Sequence, residues 1–165
     1  MEFPFAGYEL VLDRIVAQAA LTPGTRVLDL GTSTGALTAR LHAAGGDVVG
    51  VAQAALTGAL PDLGRRFERI VSAYAFHELR PTERLRLVTD LFERHLVRDG
   101  VVIIGDISFA TAADRDRVRS DLGRRWDDRE LYLVADEERV ALAKLGLRTD
   151  YEPVSFCAGV FTLRA

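Results

Sequence analysis

Cysteine is almost missing from this chain. Cys157 stands alone among 165 residues, so no intrachain disulfide can form and a reducing cytoplasm is the expected compartment. Long apolar runs are missing as well. Nowhere do about 18 apolar residues follow one another, which excludes an ordinary helical membrane span. The N-terminus lacks a basic region followed by a long apolar stretch, so no signal peptide is expected. Neither charge dominates: 21 basic and 24 acidic residues leave a net charge of −3. That field is too weak to suggest nucleic acid as the partner. Repeats and low-complexity segments are absent, and no metal is expected. What remains, 48% hydrophobic and 27% charged, is the composition of one globular domain over residues 1–165, long enough to bury a core.

The most informative stretch is Arg26-Val27-Leu28-Asp29-Leu30-Gly31-Thr32-Ser33-Thr34-Gly35. Val27 to Leu30 form a short apolar run suited to a strand buried on both faces. A glycine turn follows, then the helix-like Ala36-Leu37-Thr38-Ala39-Arg40-Leu41. Strand, turn and helix in that order open a βαβ unit, whose ligand crevice lies at the carboxyl end of the strand. Gly31 and Gly35 allow a sharp turn and a close approach of backbone to ligand.

This stretch resembles motif I of the class I S-adenosylmethionine-dependent methyltransferases. Asp29, Gly31 and Gly35 fit the family pattern, in which the glycines pass beneath the cofactor's methionine part. Thr32 lies between them, and Ser33 takes the place of the usual middle glycine. The resemblance implies a Rossmann-like α/β fold, a three-layer αβα sandwich around a mostly parallel sheet with an antiparallel last strand. It also implies S-adenosylmethionine as cofactor.

In chain order, the periodicity predicts a helix over about residues 6–20, with Leu10, Val11, Ile15 and Ala19 on its buried side. Phe3, Phe5 and Tyr8 are either packing residues or the lining of a substrate entrance. Asp47-Val48-Val49-Gly50-Val51 reads as the second strand. An acid normally ends this strand and accepts hydrogen bonds from the ribose hydroxyls, as in dinucleotide folds. Here Ala52 and then Gln53 stand in its place, and a neutral amide binds more weakly than a carboxylate. Only about a dozen residues separate Ala52 from the next strand near Phe67, which is room for roughly one crossover. The family's third strand is therefore expected to be missing, leaving about six strands. The second strand would then be a bare edge, open to a second copy or another chain.

The segment Ser72-Ala73-Tyr74-Ala75-Phe76-His77-Glu78-Leu79 resembles motif IV of small-molecule methyltransferases, which commonly ends Phe-His-His-Leu. The resemblance sets Ser72, Ala73 and Tyr74 beside the cofactor and His77 near the transferred methyl. Read without it, His77 is equally a satisfied structural residue. Glu78 replaces the second histidine. Pro81 opens a helix running to about Leu96, striped by Leu85, Val88, Leu91, Phe92 and Leu96, and His42 and His95 fall in helical surface patterns. Arg98-Asp99-Gly100 reads as a turn and Val101 to Asp106 as a central strand. Asp106 ends it, either orienting a substrate and accepting a proton or capping the next helix.

From Ala110 to about Arg125 the charges alternate in sign, as on a solvated helix, and Trp126 with Tyr132 suit a lid over the crevice. A further helix spans about residues 135–144, and two closing strands join around residues 155–158. Taken together, the resemblance implies a methyltransferase acting on a small molecule, with His77 and Asp106 as its acid–base candidates. The departures at Ser33, Ala52 and residues 53–66 equally suit another role. A methyltransferase-fold protein that has lost cofactor binding would serve as a binding or partner subunit.

Overall fold

The computed structural model describes residues 3–165. Seven strands are assigned among them: β1 (Arg26–Leu30), β2 (Asp47–Val51), β3 (Phe67–Ala73), β4 (Leu96–Phe109), β5 (Leu133–Val134), β6 (Arg148–Ser155) and β7 (Ala158–Arg164). The helices are α1 (Tyr8–Ala19), α2 (Ala36–Ala43), α3 (Pro81–Asp90), α4 (Ala112–Leu122) and α5 (Ala135–Ala143). None is long and apolar enough to cross a membrane.

The body of the sheet runs β2-β1-β3-β4-β7-β6. Pairing is parallel from β2 to β4 and antiparallel where β7 lies between β4 and β6. Between β2 and β3 the chain forms only a single helical turn at Gln53–Ala55. The family's third strand is missing as expected, and β2 is the edge. The seventh strand is a different one. The two-residue β5 pairs with Ser108 and Phe109 at the carboxyl end of β4.

Alternation along the strands builds the layers. Val27, Val71, Ile103 and Val160 point to α1 and α2, where they meet Val11, Ile15, Leu37 and Leu41. Leu28, Ile70, Val102 and Leu163 point the other way, to Leu87 and Val88 of α3 and Leu142 of α5. Helix α1 sits close because β4 has Gly105 beneath it. A Cβ there would come within 2.5 Å of Val11 Cγ1 and 2.7 Å of Ile15 Cδ1.

Several expectations need correction. Leu10 is 60% exposed and Leu12 takes its place in the core at 1%, because α1 rolls toward Gly105. The helix after Pro81 runs to His95, close to the expected end, its last turn Leu91–His95 being a wide one, and Leu96 begins β4. Its buried side uses Leu87 and Arg84, while Leu85 and Phe92 are only partly covered. Arg98 to Gly100 form a bulge inside β4 rather than a free turn, since the partner of Phe67 is Leu96 but that of Arg69 is Val101. His95 is buried, 3.5 Å from Asp90.

Candidate active site

The sheet order reverses around β1, which creates a crevice at the carboxyl ends of β2, β1 and β3. The loop after β1 is its floor. The Gly31 N–H donates to the Val51 carbonyl at 2.7 Å, and the Gly35 N–H donates to the Thr32 carbonyl at 2.6 Å. Ser33 adopts φ 30°, in the region that glycine enters without strain. The serine thus keeps the glycine-like turn at some conformational cost. Tyr8, Asp29, Gly31, Ser33 and Ala73 border a recess of about 30 Å³.

Asp29 is 1% exposed, and its Oδ2 accepts a hydrogen bond from Thr38 Oγ1 at 2.6 Å. Burial raises its pKa above the ordinary carboxylate value, and the Thr38 bond works against that rise. The Ser72 hydroxyl, fully buried, donates to the Leu30 carbonyl at 3.0 Å and ties β3 to β1. Ala52 is exposed and offers only a methyl group. Gln53 lies across the floor. Its Nε2 donates to the Ala75 carbonyl at 2.9 Å and to Glu78 Oε2 at 3.2 Å. Its Oε1 is 2.6 Å from where a Cβ on Gly31 would stand, and Ala75 Cβ is 2.7 Å from the same point.

Tyr74 follows β3 with φ 55°. Its ring stacks on Tyr8 at 5.2 Å and meets Phe5 edge-on at 5.5 Å. Its hydroxyl is buried without a hydrogen-bond partner among the described residues. Burial, and then the charge of Asp106, push the phenol pKa well above 10. Phe3, Trp126 and Tyr132 form a second aromatic cluster against Phe109. The entrance and lid aromatics are therefore two groups, anchored at the carboxyl ends of β3 and β4.

Beside this floor stands a buried pair. Asp106, with no exposed surface, places Oδ1 2.6 Å from His77 Nδ1. Backbone N–H groups hold the same carboxylate: Phe76 and His77 donate to Oδ2 at 2.8 and 3.1 Å, and Ile107 donates to Oδ1 at 2.7 Å. Asp106 therefore orients His77 instead of capping α4, whose cap is Thr111. Burial disfavours the charged ring most strongly, but Asp106, with help from Glu130 and Glu78, outweighs it, so the His77 pKa lies above its ordinary value. The other ring nitrogen, Nε2, is 3.8 Å from Glu130 Oε2.

Sequence reading missed Arg84, which is 4% exposed. It donates to the Phe76 carbonyl at 3.0 Å, pairs with Glu138, and bonds the Leu131 carbonyl. It thereby fastens the His77 turn to the loop carrying Glu130. Nothing local separates Arg84 from exposed Arg80 and Arg86. Among the described residues no group of three His, Cys, Asp or Glu side chains could hold a metal ion.

No family model matches the sequence. It is similar to an uncharacterized methyltransferase of Oceanobacillus iheyensis, 27% identical over 179 aligned positions, covering 91% of this chain and 83% of that protein. It is also similar to one of Bacillus pumilus, 29% identical, covering 92% and 80%. Among solved structures, the DhpI complex with SAM and HEP shares the fold with a TM-score of 0.72 at 16% identity, covering 99% of this chain and 88% of that one. The magnesium protoporphyrin IX methyltransferase of Synechocystis PCC 6803, with SAH bound, shares it at 0.70 and 19% identity, covering 97% and 84%. Through these relatives, its sheet order and its glycine loop, the chain resembles the class I S-adenosylmethionine-dependent methyltransferases, and it shares the fold of these solved structures.

Proposed function

We propose that the protein transfers a methyl group from S-adenosylmethionine to a small molecule, with His77 as the base and Asp106 as the residue that positions it. The observation carrying this reading is the 2.6 Å contact between His77 Nδ1 and Asp106, two residues along from Ala75, which touches the glycine floor. The names of the relatives and of the structural neighbours support the activity.

The residues present fit the cofactor. Gly31 stands where a Cβ would fill the floor, at φ 77°, and the space before Gly35 is open. Asp29 and the loop from Gly31 to Ser33 border the recess, and Gln53 is a side chain that can rotate away from Gly31. When bound, S-adenosylmethionine supplies an electrophilic methyl on a sulfonium.

The chain's own residues do the rest. An Nδ1 proton donated to Asp106 fixes the tautomer and leaves the Nε2 lone pair to accept a proton. That proton would come from an acceptor hydroxyl or amine as its lone pair takes the methyl carbon. His77 and Asp106 are both buried, which keeps water out of the proton path. The catalytic share of the chain is therefore orientation and proton removal.

Calorimetric titration with S-adenosylmethionine and S-adenosylhomocysteine tests the reading. Micromolar binding is expected, and no binding at millimolar ligand would overturn it. The protein would then be a methyltransferase fold without its cofactor.

A further inference from the structure

Two departures from the family pattern, distant in the chain, meet in the fold. Ala52 stands after β2, where an acid is usual, and Glu78 stands in the turn after β3, where a second histidine is usual. Gln53 connects them. Its amide lies over Gly31 and donates to Glu78 Oε2 at 3.2 Å and to the Ala75 carbonyl at 2.9 Å. A donor placed above the glycine floor therefore reaches the Glu78 carboxylate directly. The Gln53 amide thus has one acceptor in the Glu78 carboxylate and the other in the Ala75 carbonyl. Glu78 is exposed, so moving this carboxylate onto a ligand needs no rearrangement of the core.

Resting on the function proposed above, we infer that Glu78 supplies, from the turn after β3, the carboxylate that β2 lacks. It accepts hydrogen bonds from the ribose hydroxyls of S-adenosylmethionine. A carboxylate has two oxygens for two hydroxyl donors, and charge-assisted bonds are the stronger kind. The Ala52 side chain cannot accept, and that of Gln53 offers a single neutral oxygen. The shortened segment at residues 52–66 removes the third strand, yet leaves Gln53 and Glu78 in contact. The ribose site has in this way moved from one strand end to its neighbour.

Calorimetry on the whole protein tests this, using S-adenosylhomocysteine and its 2′,3′-dideoxyribose analogue against wild type and Glu78→Gln. Glu78→Gln should weaken S-adenosylhomocysteine binding about tenfold or more. The dideoxy analogue should bind both proteins alike, within about threefold, because it has no hydroxyl for the carboxylate to accept. The melting temperature of Glu78→Gln should match wild type, since the residue is exposed, which separates lost affinity from lost folding. Equal binding of S-adenosylhomocysteine to both proteins would overturn the inference and leave the proposed function standing. An equal loss of affinity for both ligands would also overturn it. Absence of binding to wild type would instead overturn the proposed function on which it rests.

Discussion

Asp106 Oδ1 lies 2.6 Å from His77 Nδ1, within a carboxylate that also accepts three backbone N–H groups. Those amides fix the carboxylate in place, and it holds the imidazole ring in one orientation. The His77 pKa lies above its ordinary value of 6.5. Proton NMR across pH 5 to 9 should show a histidine signal titrating above 6.5 that vanishes in His77→Gln. Because the folded pKa is the raised one, the charged pair stabilises the fold fully below about pH 6.5, and that increment is lost as pH rises through the folded pKa. Wild-type stability should fall over that window and His77→Gln should not share the fall. Methyl transfer has the opposite sign, since the base must be neutral, and should rise through the same pKa.

Gly31 and Gly35 share φ 77° but not their surroundings. A Cβ on Gly31 would press on Gln53 Oε1 and Ala75 Cβ, whereas one on Gly35 meets nothing within 4 Å. Gly35→Ala should cost about 1 kcal/mol, the penalty of the left-handed conformation. Gly31→Ala should cost more in urea unfolding. Adding Gln53→Ala should recover part of that excess, because the amide is one of the two colliding groups. Equal costs at the two glycines would mean that Gln53 does not rest on the floor.

Arg84 carries more of the site's architecture than its helix suggests. It is buried with Glu138, whose side chain is 15% exposed, and it also serves the Phe76 and Leu131 carbonyls. Removing one partner of a buried pair leaves the other charged and unpaired, typically at about 3–5 kcal/mol. Arg84→Met should lose stability on that scale in chemical denaturation. The double variant Arg84→Met with Glu138→Leu should recover a good part of it. A loss below about 1 kcal/mol for Arg84→Met would place the pair in solvent.

The sheet was legible because its signals are local. Asp47–Val51 is the strand that the apolar run between Gly46 and Ala52 predicts, and the lost third strand follows from the shortness of residues 52–66. The meeting of His77 with Asp106 was half legible. Both were placed at the carboxyl end of adjacent parallel strands, where the fold brings side chains together, but the bond itself is a matter of three dimensions. Long-range facts were hidden. Periodicity alone does not settle whether Leu10 or Leu12 flanks the stripe of α1; Gly105, some 90 residues on, does. Arg84 reads as a surface arginine because Glu138 is 54 positions away.

Tyr74 keeps a left-handed backbone, φ 55°, and a buried hydroxyl with no hydrogen-bond partner among the described residues. Both features disfavour the folded state. An unsatisfied buried polar group alone costs about 1–3 kcal/mol. Stacking on Tyr8 and the edge contact with Phe5 explain why a large ring sits there but not why it carries a hydroxyl. With its pKa well above 10, that hydroxyl remains a donor at any physiological pH. It follows Ala73, which borders the recess, and its ring lies on Tyr8, which borders it too. The expected use of the hydroxyl is therefore a hydrogen bond to bound ligand. Tyr74→Phe removes only the oxygen, so its melting temperature should equal or exceed that of wild type. Its affinity for S-adenosylhomocysteine should drop severalfold in the same preparations. The opposite signs carry the test: a lower melting temperature with unchanged affinity would make the hydroxyl a structural group that finds its partner within the protein.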